Sequence, residues 1–393
     1  LESWGDYHRA RFSGTRTPLP HLPVIPLGVD CATLAPTPPR RAAGKAWRVK
    51  LGIADDDVVF LWMGRLSFFE KMHPFATLAA AEAAARRSGH RLHLVFAGWF
   101  PHEAHRGQYE SLAAAVAPSV AVHFVDGNDP DVRANIWFAA DVFTSLVDNV
   151  QETFGLAPIE AMAAGLPVVV SDWDGYKDTV PDGVVGLRIP TVMAPAGSGV
   201  DMVRPHTAHL MSYQTYVGAV SQAIAVDVGA AGDAFLRLAG DADLRRRFGA
   251  AGFERARTVY DWPVVAAQYR ALWAELAALR RAGPAIEHPC YPLHQDPYTL
   301  FADFPTRRLG PDSVLALADA GAPDRLAPLR AHELNSFARY WQVDEPGLRR
   351  LLDHLAAAPR TLAELEALHP ADPARLQRSV AWLLKMGLAV LEG

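Results

Sequence analysis

"NVQETFGLAPIEAMAAGLPVVVSD", residues 149–172, reads as a loop, a helix and a strand in direct succession. Pro158 is well tolerated only in the first turn of a helix, so the helix begins near Ala157. Small residues carry it to Gly165, and "LPVVVSD" (166–172) is an apolar run of strand length. Phe154, Gly155 and Leu156 then present backbone N–H groups at the positive end of the helix, where an anion is stabilised. Glu152 precedes the helix and Glu160 sits in its first turn, so the two carboxylates flank the anion site and do not share a helical face. Such a pair suits hydrogen bonds from sugar hydroxyls at either end of a diphosphate. The plainer alternatives are a favourable charge near a helix N-terminus for Glu160 and a solvated loop acid for Glu152.

Outward from this unit the pattern repeats. "VVFLWMG" (58–64), "RLHLVFAG" (91–98), "VAVHFVD" (120–126), "DVFTSLV" (141–147) and "GVVGLRIP" (183–190) read as strands. Helical stretches near 72–88, 103–117 and 129–140 separate them. Continuous apolar runs alternating with helices imply an α/β fold, a parallel sheet with helices on both faces. Ligands of such sheets sit at the carboxyl ends of the strands. "HLPVIPLGVD" (21–30) reads as a further short strand, within a Pro-rich and irregular segment 1–44. Residues 191–210 show neither period and read as a functional loop or lid. Helices follow at about 211–226, 228–239, 241–258 and 261–280, then a Pro-rich linker over 283–312. Residues 313–393 give three capped helices and a short terminal strand, which suggests a small, mainly helical, winged-helix-like module.

Three strand ends carry candidate chemistry. "MGRLSFFEKMHP" (63–74) places Arg65 and Lys71 on the loop after a buried strand, suited to a phosphate-bearing ligand or left as solvated charges. Gly98 ends "FAG" and serves either a close backbone approach to a ligand or an ordinary turn. Asp126, Gly127 and Asn128 form a loop whose "DGNDP" is also plain turn chemistry. The acidic pairs Asp129/Asp131, Asp172/Asp174 and Asp241/Asp243 have the spacing of metal-binding carboxylates, but the cations already supply positive charge, so no metal is expected. His206 and His209 lack a third ligand at suitable spacing.

The 393 residues carry a formal charge of −5, against a general nucleic-acid binder, and half are hydrophobic, as in a globular protein. Cys31 and Cys290 give no disulfide framework or zinc spacing and read as thiols of a reducing compartment. No apolar run reaches membrane-spanning length and the start shows no signal peptide, so a cytoplasmic location is expected. The first residue is not Met, and the chain reads as a piece of a longer protein. The Ala-, Arg-, Leu- and Pro-heavy composition points to a GC-rich bacterial source.

"PLGVD", the G-R-x5-K of Gly64 to Lys71, "FAG" and above all "ETFGLAPIEAMAAGLPVVVSDWDGYKDTV", with its E-x7-E, occur in the order that resembles the retaining GT-B glycosyltransferases of glycosyltransferase family 4. The resemblance covers about 20–280 and implies the C-terminal, Rossmann-like donor-binding half of a GT-B fold. It marks off a remnant of an absent N-terminal domain (1–44) and the donor domain (45–282), ahead of the linker (283–312) and the winged-helix-like module (313–393), neither of which is a standard part of the family. It implies a nucleoside-diphosphate sugar as donor substrate, with no other cofactor, and an unknown glycan, lipid or small-molecule acceptor. Carried over by position, Glu152, Arg65 and Lys71 are catalytic: Arg65 and Lys71 bind the diphosphate and Glu152 the transferred sugar. Gly64, Gly98, Asp126, Gly127, Phe154, Gly155, Leu156 and Glu160 line the donor, with Glu160 on the ribose and the 124–128 loop near the base. The rival expectation is a non-catalytic nucleotide-sugar sensor or scaffold whose residues 313–393 contact a protein; nucleic acid is not expected there.

Overall fold

The computed structural model describes residues 22–283 and 296–392. The chain divides into two compact units, residues 1–283 and 284–393. Cys290 and most of the expected linker's first half lie outside the described residues, as does the segment before residue 22.

The first unit is built on β1 (Val58–Arg65), β2 (Leu92–Trp99), β3 (Ala121–Asp126), β4 (Val142–Ser145), β5 (Val168–Ser171) and β6 (Gly186–Ile189). All pair in parallel, in the order β3-β2-β1-β4-β5-β6. This is the Rossmann-like order, and its reversal point lies between β1 and β4. Both faces are covered because neighbouring residues on a strand point opposite ways. Phe60 pairs with Val142, and Phe235 of the helix Val228–Gly240 stacks on Phe60 at 4.3 Å. Leu61 pairs with Phe143 on the other face, where Trp137 packs against Phe143 at 6.0 Å. These side chains are all buried, which is why β1 reads as an unbroken apolar run; β4 buries the polar Thr144 and Ser145 as well.

Three expectations for this unit are corrected. The segment expected to be irregular up to 44 holds helices Cys31–Leu34 and Pro38–Lys50. The Pro38–Pro39 pair starts the second helix, the one place where prolines fit, and its Trp47 is buried. The expected strand 21–30 reduces to one bridge, Val29 with Asp261. The stretch 191–210 is not structureless either. It contains β7 (Thr191–Met193) and the helix Val200–Thr207; after the helix Tyr213–Ser221 the chain returns as β8 (Ile224–Val226), antiparallel to β7.

The second unit carries a three-stranded antiparallel sheet, β9 (Val314–Leu317) between β10 (Arg360–Thr361) and β11 (Ala389–Leu391). Leu348, Leu351, Leu352 and Leu355 form one buried stripe of the helix Glu345–Ala357. They pack in one core with Leu315, Leu365, Leu376 and Leu383. Asp344 and Asp372 cap their helices, and Thr361 and Glu364 form a capping box. Among the described residues, no helix is long and apolar enough to cross a membrane.

Candidate functional site

In open sheets of this order ligands dock at the reversal point, outside the carboxyl ends of the strands, and the loops leaving β1 and β4 carry the charged candidates. Arg65 is the last residue of β1 and Lys71 follows on its loop. Glu152 lies on the loop from β4 into the helix Leu156–Ala163. Lys71 Nζ meets Glu152 Oε2 at 3.2 Å, with the lysine side chain 35% exposed and the glutamate 14%. Arg65 pairs with Glu70 Oε2 at 3.2 Å. Glu70 lies between the two cations in sequence, and its spacing gave no helical or strand signal to single it out.

Gly155 caps the helix Leu156–Ala163 with φ 81° and ψ 80°, and no side chain caps the first turn. A Cβ there would stand 2.0 Å from Tyr176 Cε1. Tyr176 is buried and its hydroxyl pairs with Ser145 Oγ, the end of β4, at 2.9 Å. The uncapped turn is thus held from beneath by the strand it leaves. Phe154 turns its ring edge to Tyr260, centroids 6.3 Å apart, while Leu156 stays 40% exposed. Glu160 has no protein partner for its carboxylate among the described residues, and burial pushes its pKa up. A carboxyl so placed has its acceptor capacity left over for donors from outside the protein.

Gly64, Gly98 and Asp126 fall on one register row across β1, β2 and β3. Here the glycines have a structural reason: a Cβ on Gly98 would stand 2.0 Å from the Gly64 carbonyl oxygen, and one on Gly127 2.8 Å from the Gly98 Cα. Asp126 accepts the Asn128 N–H at 2.9 Å, and Asp129 caps the next helix, so this loop folds on its own turn chemistry. It lies two strands from β1, roughly 10 Å at ordinary strand spacing. The structure therefore brings Lys71, Glu152 and the Gly155 turn together and sets Asp126 and Gly127 apart from them.

Asp172 faces Arg188 at 3.3 Å, and His206 stacks on Tyr216 at 4.3 Å. Among the described residues no cluster of three or more His, Cys, Asp or Glu is placed to hold a metal ion. Sequence reasoning missed Asn149, Asp148 and Tyr176 as well as Glu70. Asn149 and Asp148 open the decisive stretch or adjoin it, but their partners are 75 to 80 residues away.

Residues 44–196 match the family described as "Glycosyl transferases group 1". The chain carries a group 1 glycosyltransferase domain. The chain is 35% identical over 170 residues to the D-inositol 3-phosphate glycosyltransferase of Geodermatophilus obscurus, covering 42% of this chain and 36% of the relative. It is 31% identical over 174 residues to the phosphatidyl-myo-inositol mannosyltransferase of Mycobacterium leprae, covering 44% and 37%. Among solved structures, the sucrose-phosphate synthase of Thermosynechococcus elongatus superposes with a TM-score of 0.47 at 24% identity, covering 70% of this chain and 57% of that one. The chain thus spans well under half the length of these curated relatives. The group 1 domain ends within the first unit and does not include the second.

Proposed function

We propose that the first unit binds a nucleoside-diphosphate sugar and supplies the donor side of a retaining glycosyl transfer. The observation that carries this reading is the Lys71–Glu152 pair beside an uncapped helix N-terminus at the sheet's reversal point. Arg65 and Lys71 hold the diphosphate, with the N–H groups of Phe154, Gly155 and Leu156 on the distal phosphate and the sugar. Glu152 accepts from the sugar hydroxyls and Glu160 from the ribose. The row from Gly64 and Gly98 to Asp126 and Gly127 carries the nucleoside toward β3. As the glycosidic bond breaks, negative charge grows on the leaving diphosphate, and preorganised cations and N–H dipoles stabilise it. No metal is needed for that neutralisation. A part-exposed ion pair is worth only about 0–1 kcal/mol, so Lys71 turns from Glu152 to a phosphate at little cost.

The acceptor, a glycan, lipid or small molecule, is left open. The acceptors named for the relatives are not taken over, since the alignments cover little more than a third of those proteins.

Isothermal titration with uridine, guanosine, adenosine and deoxythymidine diphosphates tests the donor site. At least one is expected to bind. Arg65→Ala or Lys71→Ala is expected to weaken it about 10- to 100-fold, the worth of one charge-assisted hydrogen bond. Folded protein that binds none of the four overturns the reading.

A further inference from the structure

We infer that Asn149 is a positioning residue of the donor site, a clasp that sets the spacing of the Lys71 and Glu152 loops before any ligand arrives. The inference rests on the donor-site reading above. Asn149 is fully buried. Its Nδ2 donates to the Phe69 carbonyl at 2.7 Å, two residues before Lys71. Its Oδ1 accepts the Gln151 N–H at 2.9 Å. Its own carbonyl accepts the Glu152 N–H at 3.2 Å and Trp173 Nε1 at 3.1 Å. One residue thereby ties together the loops that leave β1, β4 and β5.

Phe69 is fixed from a second side. A Cβ on Gly218 would stand 2.6 Å from Phe69 Cδ1, so the helix Tyr213–Ser221 lies directly against that ring. The Lys71 N–H closes the turn onto the Ser67 carbonyl at 2.9 Å. The Lys71–Glu152 ion pair does not fix the loops by itself, because the lysine is flexible and part-exposed. The side-chain bonds of Asn149 are directional and part-buried, made by a side chain that is itself fully buried, and a carbonyl largely screened from water that loses its donor is disfavoured. The position needs a donor and an acceptor on one planar group. Aspartate offers only acceptors and would face the Phe69 carbonyl with an oxygen. Serine is too short to reach Phe69 while it still accepts from Gln151.

The test uses the full chain with Asn149→Asp and, should that variant fail to fold, Asn149→Ser. Amide hydrogen exchange at residues 66–74 is expected to speed at least tenfold while exchange in β2 and β3 stays unchanged. Affinity for the best-binding of the four nucleoside diphosphates is expected to fall at least tenfold. In a Lys71→Ala background the same substitution is expected to change affinity less than twofold, because the loop it holds no longer presents a cation. Unchanged exchange at 66–74, or an equal affinity loss in both backgrounds, overturns the inference. If wild-type protein binds none of the diphosphates, the donor-site reading falls, and the exchange result alone decides whether Asn149 couples the loops.

Discussion

Gly155→Ala is expected to lower stability by about 2–5 kcal/mol and to abolish measurable nucleoside diphosphate binding. Two costs add. At φ 81° an L-residue pays about 1–2 kcal/mol for left-handed backbone. The methyl would also fall 2.0 Å from Tyr176 Cε1 and 2.6 Å from Cδ1, and overpacking of this kind costs about 1–3 kcal/mol. Tyr176 has nowhere to go, being 2% exposed and tied through its hydroxyl to Ser145. The backbone must therefore move, and it carries the N–H groups proposed to meet the distal phosphate. Chemical denaturation and titration on the same preparation check both halves. Gly155→Ala protein with wild-type stability would show that the turn is not seated on the Tyr176 ring.

Gly155 also marks what the sequence makes legible. The helix start follows from Pro158 to within one residue, and Glu152 and Glu160 fall on either side of the Gly155 turn as their spacing implies, all local features, although Glu160 lies past the first turn of the helix. The parallel sheet follows from strands buried on both faces, a property written into "VVFLWMG" itself. What lies between local segments does not. The reversal of strand order between β1 and β4 brings Lys71 to Glu152 across 81 residues. No spacing along the chain encodes that, and only the resemblance anticipated that the two would serve one site. The stretch 191–210 escaped because its strand is three residues long and its helix contains Pro205, too short for a period to show, while the helix Tyr213–Ser221 falls inside the expected 211–226, whose last three residues are strand instead. The helix Pro38–Lys50 was hidden by its own start signal, since a Pro-Pro pair after a Pro-rich run reads as linker until Trp47 is seen packed in the core.

The same distinction separates Asn149 from Glu152. Glu152 announces itself because a carboxylate before a helix start suggests a ligand. Asn149 looks like turn chemistry, and locally it is, since it accepts the Gln151 N–H two residues on. Its second job, the bond to Phe69, exists only once the β1 loop folds against the β4 loop. A residue that reads as a turn in sequence is thereby the tie between two halves of a proposed site.

Asp148, one residue earlier, is expected to make the protein less stable as pH rises, and Asp148→Asn is expected to remove that slope. Burial pushes its pKa from 3.8 up to about 7. Its Oδ1 accepts the His73 backbone N–H at 3.1 Å, which does not offset the burial. Among the described residues no cation offsets this: burial holds the His73 imidazole below its usual range, and the buried Tyr109 phenol is itself pushed up, first by burial and then by Asp148. The folded form thus binds a proton that the unfolded form has already released between pH 3.8 and about 7. Stability contributed by the protonated carboxyl is fully present below the unfolded value and is lost as pH climbs through the folded one. At about 1.4 kcal/mol per pH unit this amounts to something on the order of 4 kcal/mol by pH 8. Asparagine keeps an acceptor for the His73 N–H and never ionises. The stability difference between Asp148→Asn and wild type, read by denaturant unfolding at half-unit steps from pH 4 to 8.5, should therefore widen up to about pH 7 and then level off. Taking the difference cancels every other titrating group that the two proteins share. A difference that stays flat across this range would mean that Asp148 is solvated or paired, and that the end of β4 is more open than the structure shows.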